Sequence, residues 1–320
     1  MGNRYKILDM KIAVVGVGGV GAFYAARLAQ AGHDVCCLAR SDYEIVRERG
    51  GYFINDHFHH LPRTLVPVKV EKTPNKIGVC DLVFVALKTT ANSNYESLIR
   101  PLVGEKTLIV PAQNGLGNVE MLAQLFGKEK IIGAITYCTL VRIAPGEIET
   151  FGRTDIWLAE PEGGPRERTF ALAKMFEDAQ LPSAVKNSLD EILWKKLCWN
   201  IPFNGLCVAY NMNCGEVLAD PEREACAWRL LEETQATARA CGVEIPREHL
   251  EQQMSYTKEF CAQYCPSTLL DLRAGRALEV ESIWGEPLRR GLAAGTPLPE
   301  LSKLYQILKN LAGTPKIINH

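Results

Sequence analysis

The strongest chemical signal in this chain is a glycine-rich turn near the N-terminus, Gly16-Val17-Gly18-Gly19-Val20-Gly21. In a turn of this spacing the first glycine permits a tight bend, the second lets the backbone approach a diphosphate, and the third lets a helix pack against a strand. The β-branched run before the turn and the small residues after it predict a strand and a helix, whose free N–H groups point at the diphosphate. The segment therefore predicts a dinucleotide-binding site.

A second signal concerns the choice between the two nicotinamide cofactors. This choice is made at the end of the second strand, where an acidic residue holds a ribose hydroxyl or an arginine accepts a 2′-phosphate. The chain has Arg40 followed by Ser41 at this place, and a guanidinium pairs with phosphate through a rigid fork of donors. The neighbouring Asp42 weakens the assignment, and Arg40 could also be a solvated charge at a strand end. We expect NADPH rather than NADH.

A third signal is a polar stripe on an otherwise apolar helix, where Lys196, Asn200 and Asn204 follow one another at intervals of four. Such residues share one helix face. Desolvation lowers the pKa of a lysine, which could then donate a proton to the alkoxide formed when a carbonyl is reduced. Lys195 points elsewhere, and Pro202 predicts a kink within the stripe. Taken alone, a solvated helix face is the simpler interpretation, because lysines usually lie on surfaces.

Apolar runs without polar alternation predict parallel strands covered on both faces. The four clearest are Lys11–Val15, Val35–Leu38, Asp81–Leu87 and Thr107–Val110. The helical patterns between them are Val20–Ala31, Ser93–Leu102 and Val119–Phe126. Together they predict a right-handed doubly wound sheet. Ile131–Ile135 and Asp155–Leu158 are expected to extend this sheet, with a hairpin turn at Pro145-Gly146.

Strand signals stop after Lys186, and five helical patterns follow. They are Leu189–Asn211, Pro221–Cys241, Arg247–Tyr264, Leu269–Ala294 and Pro299–Leu311. The predicted fold is therefore α/β, with an N-terminal Rossmann-type domain at residues 1–186 and an all-helical substrate and catalytic domain at residues 187–320. Residues 1–9 show no periodicity and are expected to form a leader before the fold.

The composition excludes several classes of function. Apolar residues make up 47% and charged residues 23% of the chain, as in an ordinary soluble globular protein. The 36 basic and 37 acidic side chains form no basic patch, so we expect no nucleic-acid partner. The odd number of scattered cysteines, eleven, favours a reducing cytoplasm over a disulfide framework. No apolar stretch is long enough for a membrane helix, and no signal peptide precedes the first strand.

Two clusters contain metal-ligand residue types, but we expect no metal. Cys261 and Cys265 have no second pair of ligands and are predicted to be buried small hydrophobes. The histidine-rich segment at residues 56–60 is predicted to be a surface hairpin. The apolar faces of the helical domain are either packed internally or shared with a second subunit. A homodimer is therefore one of two alternatives that the sequence leaves undecided.

The order of these motifs resembles the ketopantoate reductase family, and the likeness runs from Lys11 to Leu311. The family opens with a strand and a glycine turn and has an arginine at the end of its second strand, as this chain has. Its general acid lies in a Trp-x-Lys-Leu helix followed by asparagines, to which Trp194–Leu197 is similar. The resemblance implies that Lys196 donates the proton to the substrate oxygen.

Four further family positions have counterparts here: Lys88, Asn114, Ser267 and Glu279. By the resemblance, Lys88 and Asn114 position the cofactor and the carbonyl. Glu279, in a long helix, binds and orients the substrate hydroxyl, and Ser267 holds the remaining polar groups together with the two asparagines of the stripe. Without the family, Glu279 is an ordinary helix charge paired with Arg276, and Ser267 is a helix cap.

These signals predict an NADPH-dependent oxidoreductase that reduces 2-dehydropantoate (ketopantoate) to pantoate, a step of pantothenate and coenzyme A biosynthesis. Because the kink expected at Pro202 would move Asn204 relative to Lys196, a related 2-keto or 3-keto acid is an alternative substrate. A hydroxy-acid dehydrogenase that uses NAD is disfavoured by Arg40. An NADPH-sensing protein without turnover is disfavoured by Lys196 and Glu279, because a sensor needs no proton donor.

Overall fold

The structure, a computed structural model, describes residues 9–313, so residues 1–8 of the expected leader lie outside the described residues. The chain forms two compact units. The first comprises the residues up to Gln113 together with Asn118–Leu189. The second comprises Asn114–Gly117 and the residues from Asp190 onward.

The first unit contains strands and helices in alternation. Its strands are β1 (Lys11–Val15), β2 (Asp34–Leu38), β3 (Gly51–Asp56), β4 (Leu61–Pro67), β5 (Lys69–Glu71), β6 (Cys80–Val85), β7 (Val103–Pro111), β8 (Gly133–Ala144), β9 (Glu147–Ala159) and β10 (Ser183–Val185). Its α-helices are α1 (Gly19–Gln30), α2 (Tyr43–Arg49), α3 (Pro74–Ile77), α4 (Tyr95–Ile99), α5 (Asn118–Phe126) and α6 (Glu167–Asp178). Short 3₁₀ helices lie at Thr89–Asn94, Arg100–Leu102 and Lys128–Lys130.

The predicted doubly wound parallel sheet is confirmed. Its strand order is β5-β2-β1-β6-β7, and all neighbouring pairs are parallel. The chain moves outward from β1 on one side and returns to build β6 and β7 on the other, so the strand order reverses beside β1. Ligands of such sheets bind at the carboxyl ends of the strands at this reversal, and the glycine turn follows β1 there.

The prediction that Ile131–Ile135 and Asp155–Leu158 extend this sheet is wrong. Residues 133–135 lie in β8 and residues 155–158 in β9, and these strands belong to a second sheet of order β10-β9-β3-β4 with β8 paired to β9. The predicted turn at Pro145-Gly146 closes β8 and β9 into a long antiparallel hairpin, so the two strands satisfy each other's backbone groups. An isolated bridge between Ile109 and Ile131 marks where the chain leaves the first sheet.

Helix α1 lies between the two sheets of the first unit. It contacts β1 and β2 of the parallel sheet and β3, β4, β8 and β9 of the second sheet. Tyr24 stacks on Phe84 of β6 at a centroid distance of 5.2 Å, and its hydroxyl donates to the Thr154 carbonyl of β9 at 3.0 Å. Arg27 forms a buried ion pair with Asp56 of β3 at 2.8 Å. The helix that begins at the glycine turn is thus fixed on both sides.

The second unit is helical, as predicted. Its α-helices are α7 (Leu189–Trp199, whose first residue belongs to the first unit), α8 (Gly205–Tyr210), α9 (Cys214–Leu218), α10 (Pro221–Ala240), α11 (Arg247–Phe260), α12 (Ser267–Arg273), α13 (Glu286–Ala293) and α14 (Pro299–Gly313). Two π-helical turns occupy Asn200–Asn204 and Glu281–Gly285. From residue 9 to residue 313, no helix is both long and apolar enough to span a membrane.

The single helix predicted over Leu269–Ala294 is wrong. Helix α12 ends at Arg273, Gly275 takes a φ of +69°, and a loop runs through Glu279 before the chain becomes helical again at Val280. A residue at positive φ breaks the α-helix, and glycine adopts this conformation without a Cβ clash. Glu279 therefore lies at the end of a loop and not inside a long helix.

Candidate cofactor and substrate sites

The glycine turn has the backbone geometry that a dinucleotide site requires. Gly16 has a φ of +98°, and a Cβ there would lie 2.5 Å from the backbone nitrogen of Leu87. A Cβ on Gly21 would lie 1.9 Å from the carbonyl oxygen of Gly16. Both glycines are therefore needed for the strand, the turn and the helix to pack together.

Gly18 differs from these two glycines, because a Cβ there would meet nothing within 4 Å. It precedes α1, which has no side-chain cap at its N-terminus and no acidic residue in its first turn. The first N–H groups of a helix have no intrahelical partner, and the helix dipole favours an anion beside them. The space that a Cβ would fill and the uncapped helix both fit the diphosphate of a nicotinamide dinucleotide. Val17 and Val20 pack against the core beneath the turn.

The residues after β2 divide into one exposed arginine and one buried aspartate. Arg40 lies two residues beyond the strand and is exposed. Asp42 is 1% exposed and is paired with Arg142 of β8. The carboxylate that weakened the assignment to NADPH is therefore turned into the protein. The pairing of Arg142 with Asp42 could not be predicted from the sequence, because the two residues are 100 positions apart.

Lys88 is exposed and lies between β6 and the 3₁₀ helix that begins at Thr89. A network of polar side chains follows this lysine. Gln113 Nε2 donates to Asn92 Oδ1 at 2.9 Å, and Asn92 Nδ2 donates to Asn118 Oδ1 at 2.7 Å. The Tyr95 hydroxyl donates to Gln113 Oε1. The network fixes the end of β7 relative to the segment after β6, and sequence reasoning missed it because its members lie on four different elements.

In the second unit the polar stripe begins on α7 and continues into a π turn. Lys196 is partly exposed, whereas Asn200 and Asn204 are 5% and 4% exposed. An α-helix has about 3.6 residues per turn, so two residues four apart are separated by slightly more than one full rotation about the helix axis. A π turn, with its i→i+5 bonds, has more residues per turn, so four residues rotate by slightly less than one full turn. The π turn therefore returns Asn204 toward the direction of Lys196. Pro202, where a kink was predicted, lies within this wider turn, and its ring nitrogen has no N–H to donate to an α-helical bond.

Asn204 Oδ1 is buried and has no hydrogen-bond partner within residues 9–313. Leaving a buried polar atom unpaired costs about 1–3 kcal/mol. Such atoms in folded proteins are rare and often face a ligand or water. This oxygen is thus a candidate substrate contact.

Lys195 does point away from the stripe, as predicted. Its ammonium group pairs with Glu191 one turn earlier, and its carbonyl lies 3.1 Å from His249 Nε2. The two adjacent lysines therefore differ in their surroundings, because the ion pair of Lys195 lies on a different side of α7.

Glu279 is 5% exposed and lies two residues before the second π turn. The alternative that pairs it with Arg276 is wrong, since Arg276 Nε donates to Asp271 at 2.8 Å. Ser282 of the π turn donates to the Glu279 carbonyl at 3.3 Å. The carbonyl of Ser282 accepts the N–H of Leu116 at 2.9 Å.

Asn114 and Ser267 also lie in the second unit. Asn114 is partly buried and precedes Gly115, whose φ is +82° and whose Cβ would lie 2.3 Å from the Ser282 carbonyl oxygen. The turn that carries Asn114 is thus held against the π turn beside Glu279. Ser267 is exposed and is the first residue of α12, while Pro266 occupies the cap position. The interpretation of Ser267 as a cap is therefore wrong.

The second unit thus brings several predicted residues together. Trp284 Nε1 of the second π turn donates to the Ile201 carbonyl of the first at 2.9 Å, and α12 packs on the first π turn. The arrangement offers an ammonium group, a buried carboxylate and amide groups. Such a set can bind a small polar molecule and supply a proton to it. No group of three metal-ligating side chains is found in the described part of the chain.

Comparison with known proteins gives concordant matches along the chain. The family described as "Ketopantoate reductase PanE/ApbA" matches residues 12–163, and its C-terminal counterpart matches residues 188–312. A 2-dehydropantoate 2-reductase from a Nostoc species is 34% identical, over 95% of this chain and 96% of the relative.

Solved structures agree with these matches. The crystal structure of a 2-dehydropantoate 2-reductase from Geobacter metallireducens is similar, with a TM-score of 0.89, 37% identity, and coverage of 93% of this chain and 99% of that chain. A ternary structure of D-mandelate dehydrogenase with NADH and anilino(oxo)acetate shares the fold, with a TM-score of 0.87, 21% identity, and coverage of 95% and 98%. This chain belongs to the ketopantoate reductase family, whose members are oxidoreductases that act on CH–OH groups.

Proposed function

We propose that this protein reduces 2-dehydropantoate (ketopantoate) to pantoate with NADPH, a step of pantothenate and coenzyme A biosynthesis. The relatives from Nostoc and Geobacter metallireducens bear the name of this reaction, and each aligns with more than nine tenths of the chain. The observation that carries the proposal is the buried polar stripe beside Lys196, in which Asn204 Oδ1 has no partner within the described residues. We assign residues 1–186 to cofactor binding and residues 187–320 to substrate binding and catalysis.

When bound, the nicotinamide cofactor supplies the hydride for the reduction. The N–H groups at the start of α1 bind its diphosphate, and Gly18 leaves the space that this contact requires. Arg40 binds the 2′-phosphate through its guanidinium fork. The fold itself does not select the cofactor, because D-mandelate dehydrogenase shares it and was solved with NADH. Lys88 and Asn114 position the cofactor and the substrate carbonyl.

Lys196 is the general acid in this proposal. Its ammonium group donates a proton to the substrate oxygen as the carbonyl carbon is reduced, and the positive charge stabilises the developing alkoxide. Asn200 and Asn204 lie next to it along the stripe and hydrogen-bond the polar groups of the substrate. Glu279 accepts a hydrogen bond from the substrate hydroxyl and orients it, and Ser267 holds a remaining polar group.

We also propose a cytoplasmic location. All eleven cysteines lie in the described part of the chain and are free thiols. The Cys207 thiol donates a hydrogen bond to Cys214 Sγ at 3.7 Å, and the two residues form no disulfide. Free thiols at this spacing fit a reducing compartment.

The test is a substrate panel with the purified full chain. Loss of NADPH absorbance is measured with ketopantoate and with a series of other 2-keto and 3-keto acids, and the two cofactors are compared. We expect the highest kcat/KM with ketopantoate and NADPH. A keto acid that is turned over about tenfold more efficiently than ketopantoate would replace it as the substrate. Tight NADPH binding without turnover of any acid would indicate a sensor instead of a reductase.

A further inference from the structure

Asp42 occupies the N-cap position of α2. Aspartate at a helix N-cap normally accepts a hydrogen bond from the N–H groups of the first turn. Asp42 makes no such bond, and its φ of −94° and ψ of −6° are not those of a capping residue. The carboxylate is 99% buried and is directed away from its own helix. Its orientation is therefore set by partners elsewhere in the fold.

These partners come from the β8–β9 hairpin. The N–H of Gly146, in the hairpin turn, donates to Asp42 Oδ2 at 3.0 Å. The guanidinium of Arg142, near the end of β8, donates to Asp42 Oδ1, which also accepts the Ser41 hydroxyl at 2.8 Å. Both carboxylate oxygens are thus occupied.

The hairpin is itself fixed to α2 and β3, so these contacts do not depend on a mobile arm. The carbonyl of Gly146 accepts the N–H of Phe53 at 2.9 Å and a hydrogen bond from Arg49 at 3.3 Å. Gly146 has a φ of +70°, which a side chain would strain. The turn therefore presents its N–H to Asp42 from a rigid position.

Strand β8 also runs along the cofactor-binding segment. The carbonyl oxygen of Leu140 would lie 2.7 Å from a Cβ on Gly19. Two residues further along β8, Arg142 Nη1 donates to the Ser41 hydroxyl at 3.2 Å. The same strand thus contacts the glycine turn and the residues that follow Arg40.

We infer that Arg142 is a positioning residue for cofactor selection, acting through Asp42. An acidic residue at the end of the second strand binds the ribose hydroxyls of NADH and repels a 2′-phosphate. Arg142 neutralises Asp42 and holds it inside the protein, so that Arg40 and Ser41 alone face the 2′ position. This inference rests on the proposed use of NADPH.

The charges explain why the ion pair matters. A ribose 2′-phosphate carries close to two negative charges, and an unpaired carboxylate nearby would repel it in a region of low dielectric constant. Without Arg142 the Asp42 side chain would be a buried charge with only the Gly146 N–H and the Ser41 hydroxyl as partners. It would then turn toward solvent, where the ribose binds.

The test is a double-mutant cycle of Arg142→Ala and Asp42→Asn, with dissociation constants for NADPH and NADH measured by fluorescence in the absence of substrate. We expect Arg142→Ala to weaken NADPH about tenfold or more and to leave NADH unchanged or tighter. Asp42→Asn should bind NADPH about as tightly as the unmodified protein. In the double variant the loss of NADPH affinity should largely disappear, because the carboxylate with which Arg142 pairs has been removed.

The matched control is Arg153→Ala, which removes an arginine from the same hairpin that is paired with Asp155. It should leave both dissociation constants unchanged. Arg142→Lys keeps the positive charge and should retain the preference for NADPH. A loss of preference in Arg142→Ala alone is then due to the missing charge and not to a general folding defect. Equal weakening of both cofactors by Arg142→Ala, or the same NADPH loss in the Asp42→Asn background, would overturn the inference.

The same dissociation constants distinguish a failure of the proposed cofactor from a failure of the role of Arg142. If the unmodified protein binds NADH as tightly as NADPH, the proposed cofactor is wrong and the inference is wrong with it. If the unmodified protein prefers NADPH and Arg142→Ala keeps that preference, only the role of Arg142 is wrong. The identity of the keto acid does not enter, since binding is measured without it.

Discussion

The indole N–H of Trp284 donates a hydrogen bond to the backbone carbonyl of Ile201 at 2.9 Å, and this bond joins the two π-helical turns of the second unit. In an α-helix the carbonyl of Ile201 would accept the N–H of Gly205, but that N–H is bonded to Pro202. The indole thus satisfies a carbonyl that the wider turn leaves without its usual donor. π turns of this kind occur often at functional sites.

Trp284→Phe should therefore affect both stability and turnover. The ring is fully buried, and the phenyl group fills most of its volume but cannot donate a hydrogen bond. We expect the free energy of unfolding to fall by about 1–3 kcal/mol, because the Ile201 carbonyl is left unpaired. Urea unfolding measures the loss, and kcat should fall while NADPH binding is kept. Trp228→Phe, on α10, is the control, and an equal kcat loss there would contradict the role of Trp284.

Lys196→Ala should abolish most of the activity and leave the cofactor bound. A positioned general acid contributes about 100-fold or more to a rate, and an alanine cannot supply the proton. Steady-state kinetics gives kcat, and fluorescence titration gives the NADPH dissociation constant. The control is the adjacent Lys195→Ala, which removes only the ion pair with Glu191 and should retain activity. Loss of NADPH binding in Lys196→Ala would refute its role as the acid.

Asn204→Leu should separate stability from function. The leucine has the branched shape of asparagine and no oxygen that needs a partner, but its methyl groups are bulkier; these two effects oppose each other, so we expect the free energy of unfolding to change by no more than about 1 kcal/mol. Substrate KM should rise sharply. Asn55→Leu, which removes an amide bonded to Glu149 at 3.3 Å in the first unit, should leave KM unchanged. A strongly destabilised Asn204→Leu would mean that the amide is structural.

Gly18→Ala and Gly21→Ala should fail in different ways. The Cβ of Gly18→Ala meets nothing within 4 Å, so the protein should fold normally and bind NADPH about tenfold more weakly, because the methyl group occupies the path of the diphosphate. The Cβ of Gly21→Ala would lie 1.9 Å from a carbonyl oxygen and should cost about 3 kcal/mol of stability. Thermal unfolding and cofactor titration distinguish the two. Tight NADPH binding by Gly18→Ala would place the diphosphate elsewhere.

Arg40→Ala should weaken NADPH far more than NADH. A guanidinium that binds the 2′-phosphate contributes nothing to a cofactor without this group. The two dissociation constants are compared at fixed ionic strength, because the contact is partly screened by salt. Arg47→Ala, which removes an exposed arginine from α2, is the control. Equal weakening of both cofactors by Arg40→Ala would show that Arg40 does not touch the phosphate.

The features predicted from the sequence were those with local signals. The glycine spacing and the apolar runs of β1, β2, β6 and β7 are short-range patterns, and they gave the parallel sheet. The surface hairpin predicted at residues 56–60 joins β3 to β4, but β4 itself has no strand pattern, because its residues are mostly exposed and include Pro62 and Pro67. The break after α12 was also missed, although Gly275 is a helix-stop residue that could have indicated it.

The remaining parts of the candidate sites depend on contacts between distant segments. The ion pair of Asp42 with Arg142 and the bond from Trp284 to Ile201 link positions 100 and 83 apart. No periodicity or composition indicates such pairs, because they depend on how the sheets and helices pack. The roles assigned to Lys196, Glu279 and Ser267 stay predictions for the experiments above.

The enclosure of α1 between two sheets limits how this protein could be redesigned for another cofactor. Every residue from Gly21 to Leu28 of the helix is buried, so a larger side chain there would have to displace one sheet or the other. Arg40 and Arg142 are both exposed, so substituting either of them requires no repacking of the core. If the proposed use of NADPH holds, a variant that prefers NADH should therefore be sought by changing the end of β2 and the β8–β9 hairpin, with the buried helix left unchanged.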